Sequence, residues 1–343
     1  MSKVLVTGGC GYIGSHTIVD LINNGFDVIS IDNHVNSDPS VLTNILKVTG
    51  KKIRNYAIDL CNLAETRRVF LENRDIIGVV HFAALKAVGE SVEKPLLYYR
   101  NNLDSLLNIL MCLEEFKVRN FIFSSSCSVY GNAKELPVTE ETKRETAESP
   151  YARTKQIGED MMQDFALINP LANFISLRYF NPAGAHESGL MGESPLYATL
   201  NLVPVITETA IGKRAETTVY GADYPTRDGS CIRDYIHVMD IAHAHTLAMQ
   251  YVINRKNEDN YAVFNLGTGD GVTVLEAIHA FEKTTGVKFN YRIGQRRPGD
   301  VVSIYANNDK AKQKLGWQPM RTIEDIMATA WAWEKRRSEL VTA

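Results

Sequence analysis

Short apolar runs rich in β-branched residues alternate with amphipathic stretches of helical length in the first half of the chain. The runs predict six strands: KVLVT (3–7), FDVISI (26–31), KIRNYAI (52–58), IGVVHFA (77–83), NFIFSS (120–125) and NFISLRY (173–179). The clearest predicted helices cover residues 13–24, 98–116 and 150–168. Because strands that alternate with helices pair in parallel, this half predicts a doubly wound, Rossmann-type α/β sheet.

The pattern changes after Asn181-Pro182, where Gly and Pro become more frequent, strands such as ETTVYG (216–221) are shorter, and only two or three helices are evident. We therefore predict two domains, a sheet domain over 1–181 and a smaller mixed α/β substrate domain over 182–343. Some C-terminal segments are expected to return to the first domain. Asp240, which precedes IAHAHTLAM, is predicted to be a helix N-cap.

The composition fits a globular enzyme and narrows its partners. The chain has 343 residues, 45% of them hydrophobic and 22% charged, and a net charge of −3, which argues against a nucleic-acid partner. Its five cysteines are scattered without a CxxC pair, and its eight histidines show no metal-ligand spacing. The apolar run at the N-terminus is too short for a membrane or signal segment. These features predict a cytoplasmic protein with no metal and no membrane association.

The segment VTGGCGYIG places Gly8, Gly11 and Gly14 at a predicted strand-to-helix turn. In a dinucleotide site the first glycine permits the tight turn, the second lets a pyrophosphate approach the backbone, and the third lets the helix pack on the strand. A purely structural turn would also explain three glycines. Asp32, which follows the second strand eighteen residues after Gly14, favours the dinucleotide interpretation. Its charge would repel a 2′-phosphate, so we predict NAD rather than NADP.

Two further strand ends point to the same crevice, where doubly wound sheets bind their ligands. Asp59-Leu60 follows the third strand and is placed to meet an adenine. Phe82-Ala83-Ala84 follows the fourth, where small residues would let a cofactor lie against the backbone. A helix N-cap at Asp59 and simple packing at the alanines are equally good explanations of these residues taken singly.

Two Tyr/Lys pairs have the four-residue spacing that puts both side chains on one face of a helix. Tyr130 and Lys134 flank Gly-Asn after a strand end, so we predict a loop there. Tyr151 and Lys155 instead follow Ser149, a good N-cap, in SPYARTK, and precede a helical apolar pattern. Only the second pair is therefore expected to share a helix face.

Ser126 closes the fifth predicted strand and completes a catalytic set with Tyr151 and Lys155. A free tyrosine has a pKa of about 10, so a phenolate base near pH 7 needs about 4 kcal/mol of stabilisation. The Lys155 ammonium and a positive nicotinamide have the required sign. We predict that Tyr151 takes a substrate hydroxyl proton while hydride leaves the same carbon, that Ser126 hydrogen-bonds that oxygen, and that Lys155 also holds the nicotinamide ribose.

These motifs, together with HFAALKAVGESVEKPLLYY, FIFSSSCSVYG, LRYFNPAGAH, YPTRDGSCIRDYIHVMD, FNLGTG and RRPGD, run over nearly the whole chain. The chain resembles the extended short-chain dehydrogenase/reductase family and, within it, the UDP-glucose 4-epimerase family. The resemblance implies NAD as a tightly bound cofactor, interconversion of UDP-glucose and UDP-galactose, and a homodimer built on helices 98–116 and 150–168.

The resemblance also implies specific site residues. The implied NAD-binding residues are Gly8, Gly11, Tyr12, Ile13, Gly14, Asp32, Asn33, Asn36, Asp59, Leu60, Phe82, Ala83, Ala84, Lys86, Asn101, Ser124, Tyr151, Lys155 and Tyr179. The implied UDP-sugar residues are Ser126, Asn181, Asn201, Tyr220, Arg233, Tyr235, Arg297, Asp300 and Ile304. In this set the two arginines are suited to a diphosphate and Tyr220 to stacking on uracil.

Departures from the family pattern leave alternatives open. Ala84 and Arg153 differ from common family residues away from the reacting groups. Ile304 stands at a position that, in the family, lines the sugar pocket. A bulky tyrosine there is typical of enzymes restricted to glucose and galactose, whereas a small residue admits N-acetylated sugars. Isoleucine is intermediate, so UDP-N-acetylglucosamine and dual-specificity epimerases remain alternatives. A nucleotide-sugar dehydratase needs an Asp-Glu pair where this chain has Cys127-Ser128. A non-catalytic NAD-sensing protein would not need the Ser/Tyr/Lys set.

Overall fold

The computed structural model describes residues 2–195, 201–297 and 301–342. Their strands, in chain order, are β1 Lys3–Thr7, β2 Asp27–Ile31, β3 Arg54–Tyr56, β4 Ile76–His81, β5 Asn120–Ser126, β6 Asn173–Tyr179, β7 Asn181–Ala183, β8 Thr217–Tyr220, β9 Ile232–Arg233, β10 Tyr235–His237, β11 Tyr261–Leu266, β12 Val272–Thr273, β13 Tyr291–Gly294 and β14 Ser303–Ile304. Their α-helices are α1 Tyr12–Asn23, α2 Val41–Thr49, α3 Leu63–Glu72, α4 Val88–Glu93, α5 Pro95–Phe116, α6 Pro150–Ile168, α7 Leu202–Ala210, α8 Val238–Ile253, α9 Val274–Thr285, α10 Asp309–Leu315 and α11 Ile323–Thr342.

Seven parallel strands form the central sheet in the order β11-β6-β5-β4-β1-β2-β3. The chain runs outward from β1 to β3 and then crosses to β4 on the other side of β1. The order therefore reverses between β1 and β4, and the carboxyl ends of these two strands border the crevice where such sheets bind ligands.

Apolar side chains cover both faces of this sheet. One buried cluster joins the sheet to α1 and α8, with Ile18 and Ile241 among its members. A second joins the opposite face to α3, α5 and α6, with Ile109 and Met162 among its members. Parallel strands covered in this way are buried on both faces, which explains their nearly continuous apolar sequences.

A third apolar cluster lies in the second half of the chain, where α7, α9 and α11 pack together around Ile206 and Phe281. Three small sheets accompany it: β7 with β10, β8 with β13, and β9 between β12 and β14. No helix in the described part of the chain is both long and apolar enough to span a membrane.

The six strands and three helices predicted from the sequence are all present, and the fold class is confirmed. The second half also contributes a seventh strand, β11, which pairs with β6, and α8, which packs against α1. Five helices, rather than two or three, lie beyond residue 181 in the described residues. The number was underestimated because α7 and α10 have only nine and seven residues, too few to show a helical period.

The predicted N-cap role of Asp240 is wrong. Helix α8 begins at Val238, and its N-cap is His237, whose ring accepts a hydrogen bond from a backbone amide of the first turn. Asp240 lies inside that turn, buried, and its Oδ1 lies 2.5 Å from Nη1 of Arg321. It therefore ties the C-terminal segment to α8 instead of starting the helix.

Candidate active site

The glycine turn connects β1 to α1 at the strand-order reversal. Gly8 has a φ of +67°, and a Cβ there would lie 2.8 Å from the backbone nitrogen of Ala83 at the end of β4. A Cβ on Gly14 would overlap the carbonyl oxygen of Gly8. Both positions therefore require glycine for the close approach of β1, β4 and α1.

The N-terminus of α1 is prepared for an anion. Gly11 is its N-cap, no side chain caps it, and its first turn holds no acidic residue. The backbone N–H groups of this turn and the positive end of the helix dipole are thus left for a ligand. This arrangement fits the pyrophosphate of a dinucleotide.

Asp32 follows β2 with its carboxylate fixed beside the glycine turn. Its Oδ2 accepts a hydrogen bond from the Cys10 amide at 2.9 Å, and its Oδ1 accepts from the His34 amide at 2.9 Å and the Ser37 hydroxyl at 2.8 Å.

Metal-ligating atoms of Cys10, Asp32 and His34 lie within 4.8 Å of one another. Burial, however, raises the pKa of the Cys10 thiol to about 12, so its sulfur is the neutral, poor ligand form. The chemistry favours the predicted ribose-binding role over a metal site.

The remaining predicted cofactor residues occur along the same edge of the sheet. Asp59 follows β3, Phe82 follows β4, Ser124 lies near the end of β5 and Tyr179 ends β6, and carboxyl ends of parallel strands share one edge. Asp59 is not the N-cap of α3, because Asn62 is. This removes the simplest structural explanation of Asp59. The others lie in the loops beyond β2, β3 and β4 or on α1 and α5: Tyr12, Ile13, Asn33, Asn36, Leu60, Ala84, Lys86 and Asn101.

The structure brings the predicted catalytic residues together where α6 meets β5. Ser149 caps α6 by accepting a hydrogen bond from the Ala152 amide at 3.1 Å, as predicted. The Lys155 ammonium donates to the carbonyl oxygen of Ser124 at 2.6 Å and lies 5.8 Å from the ring centroid of Tyr151. By contrast, Lys134 of the second Tyr/Lys pair is exposed in a loop.

Burial shifts the pKa values of both members of this pair. Burial raises the pKa of Tyr151 to about 12, opposed by a hydrogen bond from Ser126. Burial also lowers the pKa of Lys155 to about 8, opposed by the charge of Glu159. The protein alone therefore keeps Tyr151 as a phenol, and Lys155 does not suffice to make the phenolate. A further positive charge at the site is required.

A buried polar network that the sequence did not predict lies on the face of β5 that α6 covers. The Glu159 carboxylate accepts from Ser125 Oγ at 2.6 Å and from Arg178 Nε and Nη2 at 2.9 and 2.6 Å. Arg178 Nη1 also donates to Tyr130 at 2.9 Å, and Tyr130 donates to Asn265 of β11 at 2.7 Å. The network fastens α6 to β5, β6 and β11. Its sequence signals are an acid four residues after Lys155 and an arginine in LRY.

Several predicted substrate residues meet in the small sheets. Asn181 of β7 lies beside Tyr235 of β10, and Arg233 of β9 lies beside Ile304 of β14 in register. Between the two segments, buried Asp234 accepts hydrogen bonds from the backbone amides of two neighbouring loops. The pairing of β14 with β9 therefore places Ile304, predicted to line the sugar pocket, next to Arg233, predicted to bind the diphosphate.

Two other predicted substrate residues lie at the ends of β8 and β13. Tyr220 is 44% exposed, and the guanidinium carbon of Arg297 lies 5.4 Å from its ring centroid. An exposed aromatic ring beside an arginine is suited to a base and its phosphates. Asp300, the next predicted residue, lies outside the described residues.

Glu193 connects the predicted cofactor and substrate residues, and the sequence did not indicate it. Its Oε1 accepts a hydrogen bond from Asn201 at 3.0 Å and lies 3.5 Å from the ammonium of Lys86. Its backbone carbonyl accepts from the indole of Trp333 on α11. One carboxylate thus joins a residue predicted to hold NAD to one predicted to hold the UDP-sugar.

A doubly wound sheet with a glycine turn at its strand-order reversal and a Ser/Tyr/Lys set on β5 and α6 defines an extended short-chain dehydrogenase/reductase. The chain matches the family model described as GDP-mannose 4,6 dehydratase over residues 5–330. It is 44% identical over 332 residues to the UDP-glucose 4-epimerase of Haemophilus influenzae, covering 97% of each chain. The chain belongs to the UDP-glucose 4-epimerase family.

Solved structures agree with this assignment. The UDP-glucose 4-epimerase of Bifidobacterium longum, in complex with NAD⁺ and UDP, is 46% identical with a TM-score of 0.92, over 98% of this chain and 99% of that one. The UDP-Glc/GlcNAc 4-epimerase of Campylobacter jejuni is 34% identical with a TM-score of 0.85, over 98% of this chain and 100% of that one.

The dehydratase description of the family model does not extend to the chemistry of this site. Cys127 and Ser128 start a short 3-10 helix directly after β5, where a dehydratase would need its carboxyl pair. Burial raises the pKa of the Cys127 thiol to about 12. Neither side chain therefore supplies the acid and base that eliminate water.

Proposed function

We propose that this protein interconverts UDP-glucose and UDP-galactose by transient oxidation at C4 of the sugar. The observation that carries the proposal is the meeting of Ser126, Tyr151 and Lys155 at the crevice of a dinucleotide-binding sheet. The whole-chain similarity to UDP-glucose 4-epimerases supports the same reaction.

NAD is the proposed cofactor. The uncapped N-terminus of α1 and the close approach permitted by Gly8 fit its pyrophosphate, and the fixed Asp32 carboxylate fits its adenosine ribose. Lys155 is proposed to hold the nicotinamide ribose as well. When bound, NAD supplies the oxidant that takes hydride from the sugar C4 and returns it, together with the positive charge that Tyr151 needs.

The protein's own task is to move one proton and hold one oxygen. Tyr151 takes the proton of the sugar 4-OH as the 4-keto sugar forms and gives it back when the alcohol is restored. Ser126 hydrogen-bonds the same oxygen in both states. Lys155, anchored by Ser124, keeps a positive charge 5.8 Å from the centre of the Tyr151 ring.

The second half of the chain is proposed to hold UDP firmly and the hexose loosely. Arg233 and Arg297 would neutralise the diphosphate, and Tyr220 would stack on uracil. The 4-keto sugar can then rotate within the pocket and present its other face to the cofactor. The remaining proposed substrate residues are Asn181, Asn201, Tyr235, Asp300 and Ile304.

A second candidate function, epimerisation of UDP-N-acetylhexosamines, rests on Ile304. Its side chain is only 9% exposed and is smaller than a tyrosine in the same place. The purified protein should be incubated separately with UDP-galactose and UDP-N-acetylglucosamine, and the product sugars identified. UDP-glucose from the first supports the proposal, and failure to form it overturns the proposal. Formation of UDP-N-acetylgalactosamine from the second assigns dual specificity.

We propose a homodimer built on α5 and α6. Large apolar side chains are exposed on these two helices: Leu96, Leu97, Leu107, Met111, Leu167 and Ile168. A soluble chain leaves few such side chains on adjacent helices unless another surface covers them. Sedimentation of the purified protein tests this, since a monomer at micromolar concentration would contradict it.

The domain division and the location are likewise proposals. Residues 1–181 would form the NAD-binding domain and 182–343 the UDP-sugar-binding domain, with α8 and β11 returning to the first. A cytoplasmic location is consistent with the five cysteines, all of which are free thiols.

A further inference from the structure

Glu159 accepts hydrogen bonds from Ser125, Arg144 and Arg178, none of them a proposed substrate or cofactor residue, yet it is the acidic side chain on the same helix one turn beyond Lys155. We propose that Glu159, held by Arg178, is a positioning residue that keeps the Lys155 ammonium charged and fixes the position of α6 along the sheet relative to Ser126. This inference rests on the proposed function, because it assigns Glu159 a part in that reaction.

The first step concerns position. Successive residues of β5 point to opposite faces, so Ser125 faces α6 whereas Ser124 and Ser126 face the side of Tyr179, with which Ser124 hydrogen-bonds. Ser125 donates to Glu159 at 2.6 Å. The strand that carries the catalytic serine is thus bonded directly to the helix that carries Tyr151.

The second step concerns rigidity. Glu159 is 2% exposed, and Arg178 binds both of its carboxylate oxygens. Arg178 is itself held by Tyr130, which follows Ser126 in the chain by four residues. A bidentate, fully buried pair has one geometry, so α6 cannot slide along β6, which carries Arg178, without breaking it.

The third step concerns charge. The groups that face Lys155 are Tyr151 and Glu159 on its own helix and His81 on β4, and Glu159 is itself paired with Arg178 at 2.6 Å and Arg144 at 3.5 Å. Burial keeps the pKa of His81 near 3, so this ring is neutral. Glu159 is therefore the negative charge that offsets the burial of Lys155 in this set.

The test is the pH profile of kcat/KM for UDP-galactose in the holoenzyme. In Glu159→Gln the carboxylate is lost and the Arg178 charge is left unpaired. We expect the apparent pKa of the basic limb, where kcat/KM declines on the alkaline side, to shift to lower pH by about one unit or more. The reason is that loss of a nearby opposite charge favours neutral Lys155. A merely structural role would lower the melting temperature and leave this limb in place.

Two further variants keep the test decisive. Asp160→Asn removes the neighbouring carboxylate, which is 46% exposed and shares Arg144 with Glu159. Because the Glu159 carboxylate and its Arg178 partner stay in place, the limb should be unchanged. If Glu159→Gln does not fold, the double variant Glu159→Gln/Arg178→Met removes both charges of the pair. We expect its basic limb to shift to lower pH as well, by a smaller amount.

The outcomes separate this inference from the proposed function. A wild-type protein without epimerase activity refutes the function itself. An active, folded Glu159→Gln variant whose basic limb coincides with that of the wild type overturns the inference and leaves the function standing. An equal fall in Asp160→Asn would also overturn it, since any nearby carboxylate would then serve.

Discussion

At the scale of single residues, the site is prepared for catalysis but does not complete it alone. The pKa of Tyr151 is raised to about 12 and that of Lys155 is lowered to about 8, both chiefly by burial. Burial disfavours the charged form of each group, so in the protein alone Tyr151 is a phenol, and Lys155, although a weaker base than a free lysine, still carries its proton at neutral pH. The proposed base thus becomes effective only when a cationic nicotinamide is present.

Replacement of Tyr151 tests its role. In Tyr151→Phe we expect epimerase turnover to fall by roughly 10²- to 10⁴-fold, because the group that accepts the 4-OH proton is gone. NAD content, measured from the denatured protein, should stay close to that of the wild type. Tyr291→Phe, at a half-exposed tyrosine of β13, serves as the control. Near-normal turnover in Tyr151→Phe would show that another group is the base.

Substitution of Ile304 tests the proposed control of sugar size. Ile304→Ala enlarges the space beside Arg233, so the ratio of kcat/KM for UDP-N-acetylglucosamine to that for UDP-galactose should rise about tenfold or more. The ratio is measured from the two substrates under the same conditions. An unchanged ratio would mean that Ile304 does not line the sugar pocket.

The glycine turn and the Ser/Tyr/Lys set were predictable because each carries a chemical requirement in a short stretch of sequence. The partnership of Glu159 with Arg178 was not, since 19 residues separate them and an acid on a helix is normally a surface residue. Glu193 was missed for the same reason. Its partner Lys86 lies in the loop after β4, far from Glu193 in the sequence.

At the scale of elements, the direction of α6 determines where its two functional side chains lie. The helix starts at Pro150 after the Ser149 cap, so Tyr151 occupies its first turn and Lys155 its second. The first turn of a helix frays when its cap is lost. The position of Tyr151 therefore depends on Ser149 although the serine touches no substrate.

Two matched N-caps test this dependence. Ser149→Ala and Thr273→Ala, the latter in the capping box of α9, should each lower the free energy of unfolding by about 1 kcal/mol. Only Ser149→Ala is expected to lower kcat, because only its helix carries Tyr151. Denaturant unfolding and turnover are the measurements. Equal effects of the two variants on kcat would contradict the account.

At the scale of the whole molecule, segments of the second half pack into the central sheet, as expected from the sequence, but the sequence pattern did not indicate which ones. β11 completes the central sheet from beyond residue 260, and α8 covers its face against α1. A run such as YAVFNL has a strand pattern, but nothing local tells which sheet it joins. Parallel pairing with β6 is a long-range contact, and periodicity carries no information about it.

We expect the free energy of unfolding to fall in mild acid because of the buried histidines in this core. The ordinary histidine pKa of about 6.5 is lowered to about 4 or about 3 by burial at four sites: His16, His81, His237 and His245. Below pH 6.5 the unfolded chain binds protons that the folded chain does not, so stability present above that pH is lost as the pH falls towards the folded pKa values.

Each such histidine is expected to cost about 1.5 kcal/mol of stability between pH 6.5 and 5. Denaturant unfolding at the two pH values measures the loss, in a window above the ordinary pKa of carboxyl groups. His279→Gln, at an exposed position, should show the same loss as the wild type. Equal stability at both pH values would show that the buried rings are not kept neutral.

The central claim is that hydride leaves and returns to the same sugar carbon on a cofactor that stays bound. UDP-galactose deuterated at C4 tests it most directly, with the purified protein and no added NAD. The account predicts UDP-glucose that retains deuterium at C4, observed by NMR and mass spectrometry. Loss of the deuterium to solvent, or accumulation of a 4-keto-6-deoxy sugar, would contradict it.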